Sequence, residues 1–324
     1  MKILFNAGEN AWGGMLHEMR KILPQHEYVV NGSFAINSLA GYDVLIPTMG
    51  RISADLLATA DRLRLIQQCG AGLEGVDIAA AEARGIMVAN VPTDVSGNAD
   101  SVAELGIYFM IGLSRNVTGM ATGLRQQCMG EPKGLALGGK TVGIIGLGGI
   151  GRALVKRLRP FGVRLIGLKQ NEPESARLEL NLGWVGTPER LPELLQQSDY
   201  VVLALPVNDE TASIFNHETF ALMKPGAFLI NLARGGLIDR AALAKALDSG
   251  EIAGAGLDVF WEEPPDPDDP IFSYKVMATP HCAGCTDVAI AGIAHGVCEN
   301  ITRVEQDLPP LNRTEPNLEG PLSL

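Results

Sequence analysis

Residues 141–151, T-V-G-I-I-G-L-G-G-I-G, constrain this chain more than any other stretch. A β-branched apolar run enters a G-x-G-x-x-G turn with Gly146, Gly148 and Gly151 at the glycine positions. A helical pattern follows over residues 152–159 and stops at Pro160. Strand, turn and helix in that order predict a dinucleotide cradle. Gly146 permits the tight turn, Gly148 lets the backbone approach a pyrophosphate, and Gly151 lets the helix pack close to the strand. The phosphates then meet the free N–H groups and partial positive charge of the helix N-terminus. The competing reading is a glycine-rich turn that serves packing only.

The rest of the chain supplies a frame for such a unit. Its 324 residues suffice for two domains and a sizeable core. Apolar strand candidates at 3–5, 28–30, 44–47, 65–68 and 86–89 alternate with helical patterns, two of which, at 53–60 and 77–84, have Ser53 and Asp77 as N-caps. A second series places strands at 142–145, 164–168, 200–205, 227–232, 256–259 and 276–278. Its helices fall at 150–159, 191–197, 217–223 and 239–249. Two such series predict an α/β protein of two doubly wound parallel-sheet domains. A long helix over 98–128 joins them, with Ser101-Val-Ala-Glu104 fitting a capping box. A last helix over 286–306 leaves the second series, and the proline-rich tail after Pro309 reads as extended.

Charge and composition narrow the partners. The net charge is −11 and no basic block occurs, which argues against nucleic acid and against anionic membrane surfaces. An anionic small substrate remains compatible, since a few local arginines can dominate one cleft. No stretch approaches the roughly 18 apolar residues of a membrane span, and M-K-I-L-F-N holds too short an apolar run for a signal peptide. The expectation is a cytoplasmic protein. Five cysteines, an odd count, suggest reduced thiols. Cys282-Ala-Gly-Cys285 spells C-x-x-C directly after His281, yet no second pair stands at ligand spacing, so no metal is expected.

The acidic residue that holds an adenosine ribose belongs about 20 residues beyond the glycines. There the strand V-R-L-I-G-L-K-Q ends on Lys169 and Gln170. A lysine offers a cation to a 2′-phosphate, so NADP(H) is expected, with NAD still possible. The competing reading makes Lys169 a solvated residue and the chain tolerant of both. In the first series, Cys69-Gly-Ala-Gly-Leu73 follows a strand and is either an anion nest or a plain βα turn.

Three later strands end on charged residues: Asn231-Leu-Ala-Arg234, Asp258-Val-Phe-Trp-Glu-Glu263-Pro and Thr279-Pro-His281. Ligands of open α/β sheets sit beyond the carboxyl ends of the strands, so all three can converge on the glycine loop. Taken singly each is ordinary: Arg234 in an ion pair, Glu263 on a solvated loop, His281 satisfied in a core.

Together they match a family. From Cys69 to Thr286 the chain resembles the D-isomer-specific 2-hydroxyacid dehydrogenases, which include glyoxylate/hydroxypyruvate reductases, phosphoglycerate dehydrogenase and phosphite dehydrogenase. The matching stretches are C-G-A-G-L-E-G-V-D, S-V-A-E-L, G-L-G-G-I-G, N-L-A-R-G-G-L-I-D, D-V-F-W-E-E-P and P-H-C-A-G-C-T. The resemblance implies a Rossmann cofactor domain, residues 98–286, inserted into a flavodoxin-like substrate domain made of 1–97 and 287–324. It implies a homodimer through the cofactor domain. It also implies a catalytic set of Arg234, Glu263 and His281, with Glu263 chosen over Glu262 because it directly precedes Pro264.

Cofactor contacts are implied at Gly149 and Ile150 for the pyrophosphate, and at Ser101. Others fall at Leu205, Pro206, Leu232, Ala233 and Asp258, the last meeting the carboxamide, with Arg234 and His281 also bordering the cofactor. Ala71 and Gly72 would donate N–H groups to the substrate carboxylate. Two departures stand out: Lys169 in place of the ribose acid, and Arg51 in Thr48-Met-Gly-Arg51, which offers a second anion contact or is a solvated loop charge.

The implied chemistry suits these residue types. Arg234 is a planar, permanently charged donor for the carboxylate and carbonyl oxygen of a 2-keto acid. His281 can protonate the forming alkoxide, and Glu263 beside it would orient the ring and favour its charged form. The expected activity is hydride transfer between NADP(H) and a small 2-keto or D-2-hydroxy acid, such as glyoxylate or hydroxypyruvate. Phosphite oxidation is an alternative within the class. The other alternative is a dinucleotide-sensing corepressor, although proteins of that type carry long additional tails.

Overall fold

The computed structural model describes residues 1–314, so the part of the extended tail expected over 315–324 lies outside the described residues. In chain order the first elements are β1 (Lys2–Phe5), α1 (Ala11–Ile22), β2 (Glu27–Val30), β3 (Val44–Ile46), α2 (Ala54–Leu57), β4 (Leu65–Gln67), α3 (Ile78–Glu82) and β5 (Met87–Ala89). Next come α4 (Asn98–Arg115), α5 (Val117–Arg125), β6 (Thr141–Ile145), α6 (Gly149–Leu158), β7 (Arg164–Leu168), α7 (Pro173–Glu179) and β8 (Trp184–Gly186). The chain continues through α8 (Leu191–Gln197), β9 (Tyr200–Leu203), α9 (His217–Ala221), β10 (Ala227–Asn231), α10 (Arg240–Asp248) and β11 (Ile252–Leu257). It closes with β12 (Val276–Ala278), α11 (Asp287–Glu305) and β13 (Arg313–Thr314).

Two sheets result. One has the order β13-β5-β4-β3-β1-β2, parallel throughout except for β13, which runs antiparallel to β5. Without β13 this is the flavodoxin-like 2-1-3-4-5 order. The other has seven parallel strands, β12-β11-β10-β9-β6-β7-β8, the doubly wound order of a dinucleotide-binding domain. Strands β3, β4, β9 and β10 are buried along their whole lengths, as parallel strands covered by helices on both faces must be. The expected fold class is therefore the observed one.

The chain divides into two compact units. Among the described residues, Met1–Ser101 and 284–314 form one, and Val102–Ala283 forms the other. Sequence capping signals set several of the helix starts. Ser53 accepts from the Leu56 N–H at 3.3 Å, Asp77 from Ala80 at 2.9 Å, Asp239 from Ala242 at 2.8 Å and Thr286 from Ala289 at 3.2 Å. Among the described residues no helix is long and apolar enough to cross a membrane.

Three expectations change. The helix expected over 98–128 breaks where Asn116 turns left-handed (φ 50°), between α4 and α5. Ser101 does not cap a helix, because α4 already begins at Asn98, after Gly97 at φ +76°. Its hydroxyl instead donates to the Gly97 carbonyl at 3.1 Å and meets Thr286 Oγ1 at 2.7 Å. Glu104, the other half of the expected box, pairs with Arg157 at 3.4 Å. The strand expected at 256–259 starts at Ile252, its period masked by Gly254 and Gly256. A Cβ at Gly256 would strike the Phe109 ring of α4, so close helix approach, not weak strand character, explains that glycine.

Candidate active site

The glycines of the β6–α6 turn divide by physical role. Gly146 has φ +98°, and a Cβ there would collide with the Ala204 carbonyl just beyond β9; one at Gly151 would collide with the Gly146 carbonyl. Both are demanded by packing. Gly148 is not: its φ is −77°, open to any residue, and an added Cβ would meet nothing within 4 Å. What its missing side chain leaves is open space over the start of α6, which has no side-chain cap. The N–H groups of Gly149 and Ile150 lie at that uncapped end, so the turn fits a dinucleotide pyrophosphate.

The neighbouring strands finish on the same edge. Ile145 lies opposite Leu203, and Leu203 opposite Asn231, so Leu205, Pro206, Leu232 and Ala233 all follow strands that end beside Gly146. Here the strand order reverses, at the switch point where open α/β sheets bind ligands. Lys169 follows β7 on this edge, half-exposed, its N–H donating to the Gly186 carbonyl at 2.9 Å.

Further along, the edge carries three charged groups close together. His281 Nδ1 stands 2.6 Å from Glu263 Oε2, and Glu263 Oε1 accepts from the Phe260 N–H at 2.9 Å. Burial alone would raise the Glu263 carboxyl. The His281 hydrogen bond and charge, with smaller help from the Phe260 N–H and the Arg234 charge, outweigh it and hold the group below its ordinary range. Arg234 is half-buried at the end of β10. Asn231, fully buried, clasps that turn by donating to the Arg234 carbonyl at 2.8 Å and accepting from the Ala233 N–H at 3.1 Å.

The His281 loop is braced from below by Asp258, only 2% exposed. Its Oδ1 accepts from Thr279 Oγ1 at 2.6 Å, from the Cys282 N–H at 2.9 Å and from the Ala283 N–H at 3.2 Å. Burial pushes this carboxyl up in spite of those bonds. Asp258 thus holds His281 in a left-handed backbone (φ 49°), whatever else it meets. Cys282 and Cys285 are thiols rather than disulfide partners, and burial raises the former, the opposite of a reactive thiolate.

The expected substrate ligands in the other unit lie at the carboxyl ends of its own strands. Thr48 (φ 50°) donates to the Asn6 carbonyl at 2.5 Å and accepts through its own carbonyl from Gln68 Nε2 at 2.9 Å, fixing the turn that leads to exposed Arg51. Asn90 Nδ2 holds the Ala71 carbonyl at 2.8 Å, leaving Ala71 exposed and Gly72 partly so. Ser101, nearly buried, sits in that unit against Thr286.

Asn231 and Thr279 stand outside the set of site residues that the sequence implies. Asparagine two residues from a turn N–H is a readable signal for the first, since its side chain satisfies local backbone groups. Thr279 has no such signal, because its partner Asp258 lies 21 residues away.

Residues 107–283 match the sequence family described as D-isomer specific 2-hydroxyacid dehydrogenase, NAD binding domain. The D-3-phosphoglycerate dehydrogenase of Methanocaldococcus jannaschii is 36% identical over 266 residues, 81% of this chain and 49% of that protein. The chain thus spans about half the length of that relative. The glyoxylate reductase of Pyrococcus horikoshii is 36% identical over 282 residues, 83% of this chain and 81% of that one. Among solved structures, the NADPH-dependent glyoxylate/hydroxypyruvate reductase of Sinorhizobium meliloti, in complex with NADP and malonate, matches with a TM-score of 0.82 at 28% identity. That match covers 97% of this chain and 96% of the other.

Proposed function

The chain belongs to the D-isomer-specific 2-hydroxyacid dehydrogenase family, and from that premise we propose that it is an NADP(H)-linked reductase of small 2-keto acids such as glyoxylate or hydroxypyruvate. The observation that carries this reading is the His281–Glu263 pair at 2.6 Å, with Arg234 close enough to help hold the Glu263 carboxyl low, on the strand edge that bears the glycine loop. When bound, the dihydronicotinamide supplies the hydride. Arg234 holds the keto-acid carboxylate and polarises the carbonyl oxygen, and His281 gives that oxygen its proton. Glu263 is a positioning residue that fixes the imidazole through Nδ1. Ala71 and Gly72 are assigned N–H contacts to the carboxylate, and Arg51 a second anionic group, on the family pattern and loop position.

NADP(H) over NAD rests on Lys169, which puts a cation where a ribose carboxylate would repel a 2′-phosphate; the Sinorhizobium reductase, which takes NADPH, supports it. The remaining cofactor contacts follow the family: Ser101, Gly146, Gly148, Gly149, Ile150, Gly151, Leu205, Pro206, Leu232, Ala233 and Asp258. Residues 98–286 are assigned to the cofactor domain, and the rest to the substrate domain. The test is oxidation of NADPH and of NADH over a panel of 2-keto acids. A kcat/KM for NADPH at least tenfold above that for NADH is expected with glyoxylate or hydroxypyruvate. Preference for NADH removes the Lys169 argument, and no turnover with any keto acid removes the reductase.

We further propose a homodimer through the cofactor domain, the contact centred on α4 and α5. Tyr108, Ile111, Met120, Leu124 (80% exposed) and Met129 (94%) lie in water along that segment, more apolar surface than scattered exposure accounts for. Light scattering is expected to give twice the chain mass, and Leu124→Glu with Met129→Glu to shift it toward the single chain; a wild-type monomer overturns the assignment.

A further inference from the structure

Beside the glycine loop, Arg152 and Glu179 have no part in the reading above, and they stand near Lys169, which does. Arg152 sits one residue past Gly151 in the first turn of α6. Lys169 follows β7, whose last residue, Leu168, lies opposite Ile145 and accepts from the Gly146 N–H at 3.1 Å. Glu179 ends α7, and its carboxylate is gripped by the Arg152 guanidinium. One internal anion thus pairs with Arg152, and the charge of Lys169, on a separate element, also acts on it.

We propose that Arg152 and Lys169 together form the seat of the cofactor's 2′-phosphate, and that Glu179 occupies Arg152 until the phosphate displaces it. Glu179 therefore sets how strongly the chain favours NADP(H) over NAD(H). The proposal rests on the NADP reading of Lys169 and adds to it a second cation and a competitor. The Glu179 carboxyl is held below its ordinary range first by the Arg152 hydrogen bond, then by the charges of Arg152 and Lys169, so both cations act on it.

Other arginines in the neighbourhood are committed elsewhere. Arg177 pairs with Glu174 at 2.7 Å, Arg190 pairs with Glu193 at 2.6 Å and stacks on Trp184, and Arg159 holds the Leu180 carbonyl. Breaking the Arg152–Glu179 pair costs little, because both side chains are well exposed, 36% and 56%. A phosphate of about −1.5 to −2 charge is a stronger bidentate partner for a guanidinium than one exposed carboxylate. It also suffers repulsion from Glu179 if that carboxylate stays charged beside it.

The probes are 2′,5′-ADP and 5′-ADP, titrated calorimetrically into the full chain, so no turnover is needed. Wild type is expected to bind 2′,5′-ADP the more tightly. Arg152→Gln should weaken 2′,5′-ADP about tenfold, in line with loss of one charge-assisted hydrogen-bonding group, and leave 5′-ADP within about twofold. Glu179→Gln should tighten 2′,5′-ADP about three- to tenfold, again with 5′-ADP unchanged, as removal of a competing and repelling charge requires. A wild type without preference for 2′,5′-ADP sinks the NADP reading itself. A wild type with that preference whose ratio neither variant moves overturns the roles of Arg152 and Glu179 alone, and leaves Lys169 as the phosphate ligand. Weaker 2′,5′-ADP binding in Glu179→Gln likewise overturns the competitor role. Melting curves confirm that both surface variants are folded.

Discussion

His281→Asn is expected to lower kcat for 2-keto acid reduction by about 10²–10⁴-fold, the range for loss of a general acid. Asparagine isolates that role. It tolerates the left-handed backbone (φ 49°) that His281 adopts, where most residues would strain the loop. The backbone bond from the His281 N–H to the Asp258 carbonyl, at 2.9 Å, does not depend on the side chain. Nor does the set of donors that Asp258 collects from Thr279, Cys282 and Ala283. An amide can still bond to Glu263, yet it has no proton to give to an alkoxide. Cofactor affinity, read by fluorescence quenching, should stay within about threefold, since the loss of one hydrogen-bonding contact is worth about 0.5–1 kcal/mol. Steady-state oxidation of NADPH measures the effect, and a kcat within threefold of wild type removes His281 from proton transfer.

The sequence made the two ends of this chemistry legible for different reasons. Residues 141–151 could be read because glycine is chemically blunt. Gly146 and Gly151 stand where any Cβ strikes backbone, and their spacing carries that fact into the sequence. Arg234, Glu263 and His281 follow strand ends, where a parallel sheet presents groups to a ligand, yet that placement alone left each of them ordinary; they could be read because the loops that carry them resemble stretches of one family.

Less legible were features set by distant packing. The left-handed run Trp12–Gly14 at the start of α1 is such a case: a Cβ at Gly13 would strike Ile290, more than 270 residues on in the chain. The three-residue strand β8 has no period to detect. The break at Asn116 was hidden because the apolar pattern runs on through it. Ser101 misled for a more instructive reason. S-x-x-E is a capping pattern only if the helix starts at the serine, and here the start three residues earlier, at Asn98, frees Ser101 to meet Thr286 instead. The Arg152–Glu179 pair joins two helices across 27 residues with no motif to announce it.

Arg234→Gln should reduce kcat/KM for glyoxylate by about 10²–10³-fold, the scale for removing a donor aimed at developing oxyanion charge. Glutamine keeps the turn, because Asn231 holds the Ala233 N–H and the Arg234 carbonyl, both of them backbone groups. It loses the permanent charge and the planar fork that can take carboxylate and carbonyl oxygen together. It also withdraws one of the charges that hold the Glu263 carboxyl low, so that carboxyl should move upward toward its ordinary range. Arg234→Lys restores charge without the fork and is expected to recover only part of the loss. Glycolaldehyde, which has the carbonyl but no carboxylate, separates the two tasks. If Arg234 binds the carboxylate, the variant loses far more against glyoxylate than against glycolaldehyde. Equal losses against both confine it to the carbonyl oxygen, and equal losses with none in KM place it wholly in the transition state. A kcat/KM within threefold of wild type for glyoxylate removes Arg234 from substrate binding.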